Sequence, residues 1–158
     1  MGAAYFYHLT ETPLDATLPM LLGKAREQGW RVLVRGRDAA QLDRLDRVLW
    51  EGPKDGFLPH GLSGGPHDAE QPILLGPEEI AAGGFDCLMS VDGAEVTAAE
   101  VGLSQRTCVL FDGHDGAALD HARGQWKALT GAGVSAQYWA QEDGSWTKKA
   151  ESGTGAAS

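Results

Sequence analysis

Cysteine is scarce in this sequence, which limits the kinds of site that sulfur could build. There are two cysteines in 158 residues, Cys87 in "FDCLM" and Cys108 in "TCVLF". Two isolated cysteines make neither a disulfide framework nor a zinc-finger ligand set. Both lie in apolar, strand-like segments, so we expect buried, reduced thiols. This cysteine usage favours the cytoplasm.

Positive charge is also in short supply. Lys and Arg total 13 against 22 Asp and Glu, which gives a formal net charge of −9. Nucleic-acid binding draws most of its affinity from basic side chains that meet phosphates. The charge therefore predicts no direct nucleic-acid partner, although a local basic patch could still serve a protein partner.

Long apolar runs are absent as well. No segment approaches the roughly 20 apolar residues that span a bilayer, so we expect no membrane partner. The N-terminus "MGAAYFYHLTET" lacks the basic and apolar regions of a signal peptide. The composition, 42% apolar and 22% charged, is ordinary for a globular domain.

Phosphate-binding motifs are missing from the expected places. A P-loop reads G-x-x-x-x-G-K-S/T, and the glycine-rich stretch "GLSGGPHD" has no such lysine and hydroxyl pair. A dinucleotide site needs G-x-G-x-x-G directly after the first strand, where this chain has "TETPLD". The glycines of the first stretch are more typical of turns, and no cofactor is predicted.

Metal and nucleophile sites lack support for similar reasons. His60, His67 and Asp68 are close in sequence, but a seven-residue gap across a Gly/Pro loop is not a ligand spacing. Ser63 lies in "GLSGG", and no recognisable spacing places a base beside it. We predict neither a metal site nor catalytic residues.

Strand-like and helical segments alternate along most of the chain. The strands are "AYFYHL", "RVLV", "PILL", "DCLMSV" and "RTCVLF". The main helices lie in "PLDATLPMLLGKAREQGW", "RDAAQLDRLDRVLW" and "DGAALDHARGQWKALTGAG", with Asp38 as an N-cap of the second. This alternation predicts an α/β fold of three layers, with a mainly parallel sheet and helices on both faces.

The C-terminal region reads differently. Two aromatic-bearing arms flank Asp143-Gly144, which is a hairpin signal. Residues 150–158 are small and polar, and we expect them to be a disordered tail. Residues 1–149 are then a single α/β domain.

Aromatic side chains are the more informative feature. There are five tryptophans, and tryptophan is favoured both in cores and at interfaces. Arg123, Trp126 and Lys127 are spaced so that they share one face of the final helix. A cationic and aromatic face on an acidic protein could receive an acidic peptide with an apolar end. Core packing of Trp126 is the alternative.

Several stretches together resemble the chi subunit family of the bacterial DNA polymerase III holoenzyme. They are "FYHL", "RVLVRGRDAAQLDRLDRVLW", "FLPHGLSGG" with "QPILL", and "RGQWKAL". The resemblance covers roughly residues 5–139. It implies a nucleotide-binding-like α/β fold without a P-loop and without catalytic function. It also implies an adaptor that binds the psi subunit on one side and the acidic tail of single-stranded-DNA-binding protein (SSB) on the other.

The resemblance implies a psi-facing surface around the "FLPH" stretch. The matching positions are Trp50, Phe57, Leu58, Pro59 and His60, with Phe57 as the apolar anchor. Another clamp-loader subunit could occupy this surface instead of psi.

The resemblance also implies a binding site for the SSB tail at Arg123, Trp126 and Lys127. One turn before Arg123, where some relatives have a basic residue, this chain has Leu119. This departure bears on the affinity of the tail site and not on its location, and Lys148 and Lys149 could compensate for it.

The resulting expectation is a noncatalytic, cytoplasmic adaptor of the clamp-loader assembly that links it to SSB. Any nucleotidyltransferase activity would belong to the holoenzyme and not to this chain. The alternative is a nucleotide-dependent enzyme on the same α/β fold.

Overall fold

The computed structural model describes residues 3–51, 59–64, 68–78, 80, 84–91 and 93–152. Within them, eight strands form one sheet in the order β3-β4-β2-β5-β6-β1-β7-β8. The strands are β1 (Ala3–Leu9), β2 (Val32–Arg35), β3 (Gly61–Leu62), β4 (Ile73–Gly76), β5 (Cys87–Ser90), β6 (Arg106–Asp112), β7 (Ser135–Glu142) and β8 (Ser145–Ser152). The α-helices are α1 (Leu14–Glu27), α2 (Ala39–Trp50), α3 (Ala98–Leu103) and α4 (Gly116–Gly131).

The sheet separates two layers of helices, as the alternation of segments predicted. Neighbouring strands are parallel except for the antiparallel pair β7 and β8. Side chains of β1 alternate between the faces: Tyr7 packs with α1 and α2, and Phe6 packs with α3 and α4. The predicted three-layer, mainly parallel α/β fold is confirmed.

Side-chain caps fix where the helices begin. Asp38 accepts a hydrogen bond from the Ala40 N–H at the start of α2, as predicted. Asp115 caps α4 in the same way. The short helix α3 begins with a reciprocal capping box between Thr97 and Glu100.

The predicted hairpin is present, and its second strand is longer than expected. Asp143 and Gly144 have φ values of 52° and 80°, and the paired residues Glu142 and Ser145 flank them. Positive φ at both central residues is the type I′ geometry that Asp-Gly favours. The predicted tail boundary at residue 150 differs from the structure, because β8 pairs with β7 as far as Ser152. Backbone hydrogen bonds extend an antiparallel ladder whatever the polarity of its side chains.

The glycine-rich stretch contains a strand that the sequence pattern did not predict. Gly61–Leu62 pairs in parallel with Leu74 and Leu75 of β4. A two-residue strand carries no alternation from which it could be recognised.

An ion pair between the buried Arg35 and the partly buried Glu100 joins the end of β2 to α3. Arg35 is 2% exposed, and its Nη1 and Nη2 donate to the two carboxylate oxygens of Glu100 at 2.8 and 2.7 Å. The same nitrogens also donate to the carbonyl oxygens of Glu95 and Ile80 at 3.0 and 2.8 Å. The hydrogen bonds from Arg35 hold the pKa of Glu100 below its ordinary value. One arginine at the end of β2 therefore binds α3 through Glu100 and the backbone at Glu95 and at Ile80.

Candidate functional site

The three residues predicted to bind a tail lie on α4. Arg123 and Lys127 are exposed, and Trp126 is partly buried. The residues that α4 turns toward the sheet are Ala122, Gln125 and Leu129. The helix therefore places two exposed cations beside an indole that is partly buried against the sheet, on one face as the spacing predicted.

Trp126 is held by aromatic rings of the neighbouring strands. Its indole meets the Phe6 ring edge-on at a centroid distance of 5.3 Å and the Tyr138 ring at 6.0 Å. Such pairs stabilise beyond the area they bury. The indole is thus both a partial core residue and a surface residue, and its orientation is fixed before any ligand arrives.

Arg123 presents its guanidinium to solvent. The side chain is 67% exposed, and its ion pair with Asp120 spans 3.6 Å between two exposed groups. Such a surface pair contributes about 0–1 kcal/mol. A second carboxylate can therefore displace Asp120 at little cost.

Two further side chains complete this surface, and sequence reasoning missed both. The Tyr138 hydroxyl lies 2.8 Å from His8 Nδ1. Burial lowers the pKa of His8 and raises the pKa of Tyr138. The positive charge of Arg123 opposes protonation of His8 and favours ionisation of Tyr138. No local signal links these residues, which lie 130 positions apart.

Leu119 has a structural role on the same helix. It is partly buried and packs against the core cluster of this layer. Leu119 covers apolar side chains at the edge of that cluster. The surface on α4 therefore draws its positive charge from Arg123 and Lys127.

The second predicted surface begins at the end of α2. Trp50 is 57% exposed, and its ring centroid lies 4.9 Å from that of His60. His60 is 5% exposed, and its Nε2 lies 3.2 Å from an Asp46 carboxylate oxygen. Pro59 is exposed. The buried His60 ring thus packs against the indole of Trp50, while Trp50 and Pro59 are exposed to solvent.

Two of the predicted partner-binding residues, Phe57 and Leu58, lie outside the described residues. The remaining three are on the α1 and α2 side of the sheet, because α2 packs there. The α4 surface is on the other side. The described residues of the two candidate surfaces therefore lie on opposite sides of the sheet.

A cleft of about 790 Å³ lies beyond the carboxyl ends of β1 and β6. Ligands of open α/β sheets bind in such crevices, so this is where the alternative nucleotide-dependent activity would be placed. Its lining mixes both charges, and Arg44 is already paired with Asp15 at 2.7 Å.

The turn after β1 is closed to phosphate by the protein itself. Gln141 Oε1 accepts hydrogen bonds from the backbone N–H groups of Thr10, Glu11 and Thr12 at 3.1, 2.9 and 3.1 Å. Successive N–H groups of this kind form a nest that binds anions. Here a neutral amide from β7 fills the nest, which disfavours a nucleotide phosphate at this position.

In the described part of the chain, no three His, Cys, Asp or Glu side chains are grouped so that they could hold a metal ion. His67 lies outside it. None of the helices in the same residues is long and apolar enough to cross a membrane. Cys87 and Cys108 are buried, as predicted.

Known proteins provide an independent comparison. The family model described as "DNA polymerase III chi subunit, HolC" matches residues 1–137. DNA polymerase III subunit chi of Escherichia coli (strain K12) is 30% identical over 143 residues, which are 85% of this chain and 95% of that protein. The Pseudomonas aeruginosa subunit chi is 37% identical over 89 residues, 54% of this chain and 61% of that protein.

One similar solved structure is the C-terminal domain of a possible DNA helicase from Lactobacillus plantarum. The match covers 71% of this chain and 74% of the helicase domain. The TM-score is 0.47 and the identity 12%. The family match and the Escherichia coli relative each span most of the chain, and both are described as the chi subunit of DNA polymerase III. The chain belongs to the DNA polymerase III chi subunit family.

Proposed function

We propose that this chi-family protein is a noncatalytic adaptor that links the clamp-loader assembly of DNA polymerase III to the acidic C-terminal tail of SSB. The observation that carries the proposal is the α4 surface. Arg123 and Lys127 stand exposed beside the anchored indole of Trp126. On a protein of net charge −9, this local concentration of cations and apolar surface suits an acidic peptide that ends in an apolar residue.

The roles of the three residues follow from their surroundings. Arg123 and Lys127 hold carboxylates of the tail, each contact worth about 1–3 kcal/mol once the peptide covers it. Trp126 contacts the apolar end of the tail, and its contacts with Phe6 and Tyr138 keep the ring in place. Because the ring is ordered beforehand, binding loses little side-chain entropy there.

The opposite surface binds a clamp-loader partner, either psi or another subunit. Trp50 is its exposed aromatic anchor among the described residues, and aromatic anchors dominate the energetics of protein interfaces. The resemblance assigns Phe57 and Leu58, which lie outside the described residues, to the same partner. With one partner on each side of the sheet, the adaptor bridges the two by occupying both at once.

The Arg123→Ala variant is expected to bind an acidic SSB-tail peptide about 5- to 30-fold more weakly, which corresponds to about 1–2 kcal/mol. The lost interaction is a charge-assisted contact with a tail carboxylate. Isothermal titration calorimetry at two salt concentrations measures it. Affinity of the unchanged protein should fall as salt rises, and the variant should show a smaller salt dependence.

The chain offers a closely matched control for this variant. Arg47 on α2 is 66% exposed and pairs with Asp43 at 3.7 Å, much as Arg123 is 67% exposed and pairs at 3.6 Å. Arg47→Ala should leave tail binding unchanged. Equal losses in both variants would mean that net charge and not the α4 surface governs binding. No loss in Arg123→Ala would remove the site assignment.

A further inference from the structure

A second hollow, of about 530 Å³, opens between α1 and the β7–β8 hairpin. It lies on the α1 and α2 side of the sheet and is distinct from the α4 surface. The aromatic residues that line it are Tyr5, Tyr7, Trp30, Trp139 and Trp146. Its volume falls within the range of about 300–1,000 Å³ that is usual for small-molecule sites.

Most of the side chains that line the hollow are apolar, and they pack against one another. Trp146 meets Tyr7 edge-on at 5.2 Å. The buried side chains of Cys87, Met89 and Cys108 also line it. A ligand body inside would therefore exchange water for aromatic and sulfur contacts.

One cation at the edge of this hollow, Arg106, has no acidic partner among the described residues. The guanidinium carbon of Arg106 lies 4.3 Å from the ring centroid of Tyr5 and 5.4 Å from that of Trp30. Among the residues that the structure describes, no carboxylate or carbonyl oxygen accepts from its guanidinium. Contacts with ring faces leave the in-plane N–H donors of an arginine available for a bidentate acceptor.

Two other charged side chains line the same hollow. Lys24, exposed in the last turn of α1, adds a second cation, and Glu27 is one turn further along. The two cations Arg106 and Lys24 and the carboxylate of Glu27 leave a net charge of +1, which one carboxylate neutralises. The hollow favours a monoanion because a dianion would leave an excess negative charge and cost more to desolvate among aromatic walls.

We propose that this hollow binds a small monocarboxylic acid with an apolar, aromatic body. The carboxylate binds the N–H groups of Arg106 and the ammonium group of Lys24. The apolar body packs against Tyr7, Trp139 and Trp146. This site is independent of the two protein-binding surfaces proposed above, since α1 separates it from α2 and the sheet separates it from α4.

The test uses ¹H–¹⁵N NMR on the full chain, titrated with 3-phenylpropionate. The indole N–H signals of Trp30, Trp139 and Trp146 should shift and saturate at millimolar concentrations, and those of Trp50 and Trp126 should stay in place. The neutral amide, 3-phenylpropionamide, should bind at least about 10-fold more weakly, because it lacks the charge that Arg106 recognises.

A peptide with an aromatic C-terminal residue carries the same chemistry, so N-acetyl-Ala-Ala-Phe is the second probe. Binding of 3-phenylpropionate supports a free acid as the ligand. Binding of the tripeptide alone overturns it in favour of a peptide terminus.

Arg106→Gln should weaken 3-phenylpropionate about 10-fold or more and leave the amide unaffected. Arg47→Gln is the control for a lost surface charge. If thermal melts reveal that Arg106→Gln is unfolded, Lys24→Gln on the exposed side of α1 takes its place, with a weaker but measurable loss. Equal binding of acid and amide, or shifts confined to Trp126, would overturn the proposal.

Discussion

Replacing Glu100 with Gln is expected to lower the free energy of unfolding by about 3 kcal/mol, the lower end of the range for a buried ion pair, because Arg35 is buried and Glu100 is 21% exposed. The substitution preserves side-chain volume and leaves the charge of Arg35 buried. Arg35 is 2% exposed, and both of its terminal nitrogens donate to Glu100. Chemical denaturation followed by circular dichroism measures the change.

The control is Glu95→Gln. Glu95 is 65% exposed as a side chain, and it reaches Arg35 through its backbone carbonyl, which the substitution leaves intact. We expect a change within about 0.5 kcal/mol, as for other surface substitutions. A double variant, Arg35→Met with Glu100→Met, should recover much of the loss, because no charge remains buried. A Glu100→Gln variant as stable as Glu95→Gln would show that the pair contributes little.

The same pair predicts a dependence on pH. The folded-state pKa of Glu100 is held below its ordinary value of 4.5. Its stabilisation is therefore complete above the unfolded-state pKa and is lost as pH falls through the folded-state pKa. The stability gap between the unchanged protein and Glu100→Gln should accordingly narrow on acidification below about pH 4.5.

Replacing Trp50 with Ala is expected to weaken binding to the clamp-loader partner by about 30-fold or more, since truncating a central aromatic anchor costs about 2 kcal/mol or more. Because the side chain is 57% exposed, the free protein should lose much less stability than this. Co-purification with psi or another clamp-loader subunit, followed by a titration of the purified pair, measures the loss.

Leu103 provides the matched control for Trp50. It is also a large apolar residue, 67% exposed, and it lies on α3. The α3 and α4 layer is on the other side of the sheet. Leu103→Ala should leave the clamp-loader partner bound. Retained binding by Trp50→Ala would remove this surface from the account, and loss of both partners with a lower melting temperature would indicate misfolding.

Local signals in the sequence predict most of the fold, although not the short strand β3. The Asp38 cap, the Asp-Gly hairpin and the alternation of strands and helices each depend on residues a few positions apart. Contacts between distant segments were not predictable in this way. Arg35 and Glu100 lie 65 positions apart, and Gln141 fills a turn about 130 positions away. Nothing in their own neighbourhoods marks them as partners.

The same division holds for the candidate sites. Arg123, Trp126 and Lys127 share a helix face because their spacing fits one turn, so the sequence alone could group them. Tyr138 and His8 join them because β7 pairs with β1. The aromatic hollow likewise gathers tryptophans from the α1–β2 connection, β7 and β8. That Arg106 has no acidic partner among the described residues becomes apparent from the assembled sheet alone.

The most direct test of the adaptor proposal is ¹H–¹⁵N NMR of the protein titrated with an acidic peptide that ends in an apolar residue. We predict saturable shifts at the amides of Arg123 and Lys127 and at the indole N–H of Trp126. The indole signals of Trp50 and Trp146 should remain unchanged. Saturable shifts at Trp50 or Trp146 with none on α4, or no shifts at all, would contradict it.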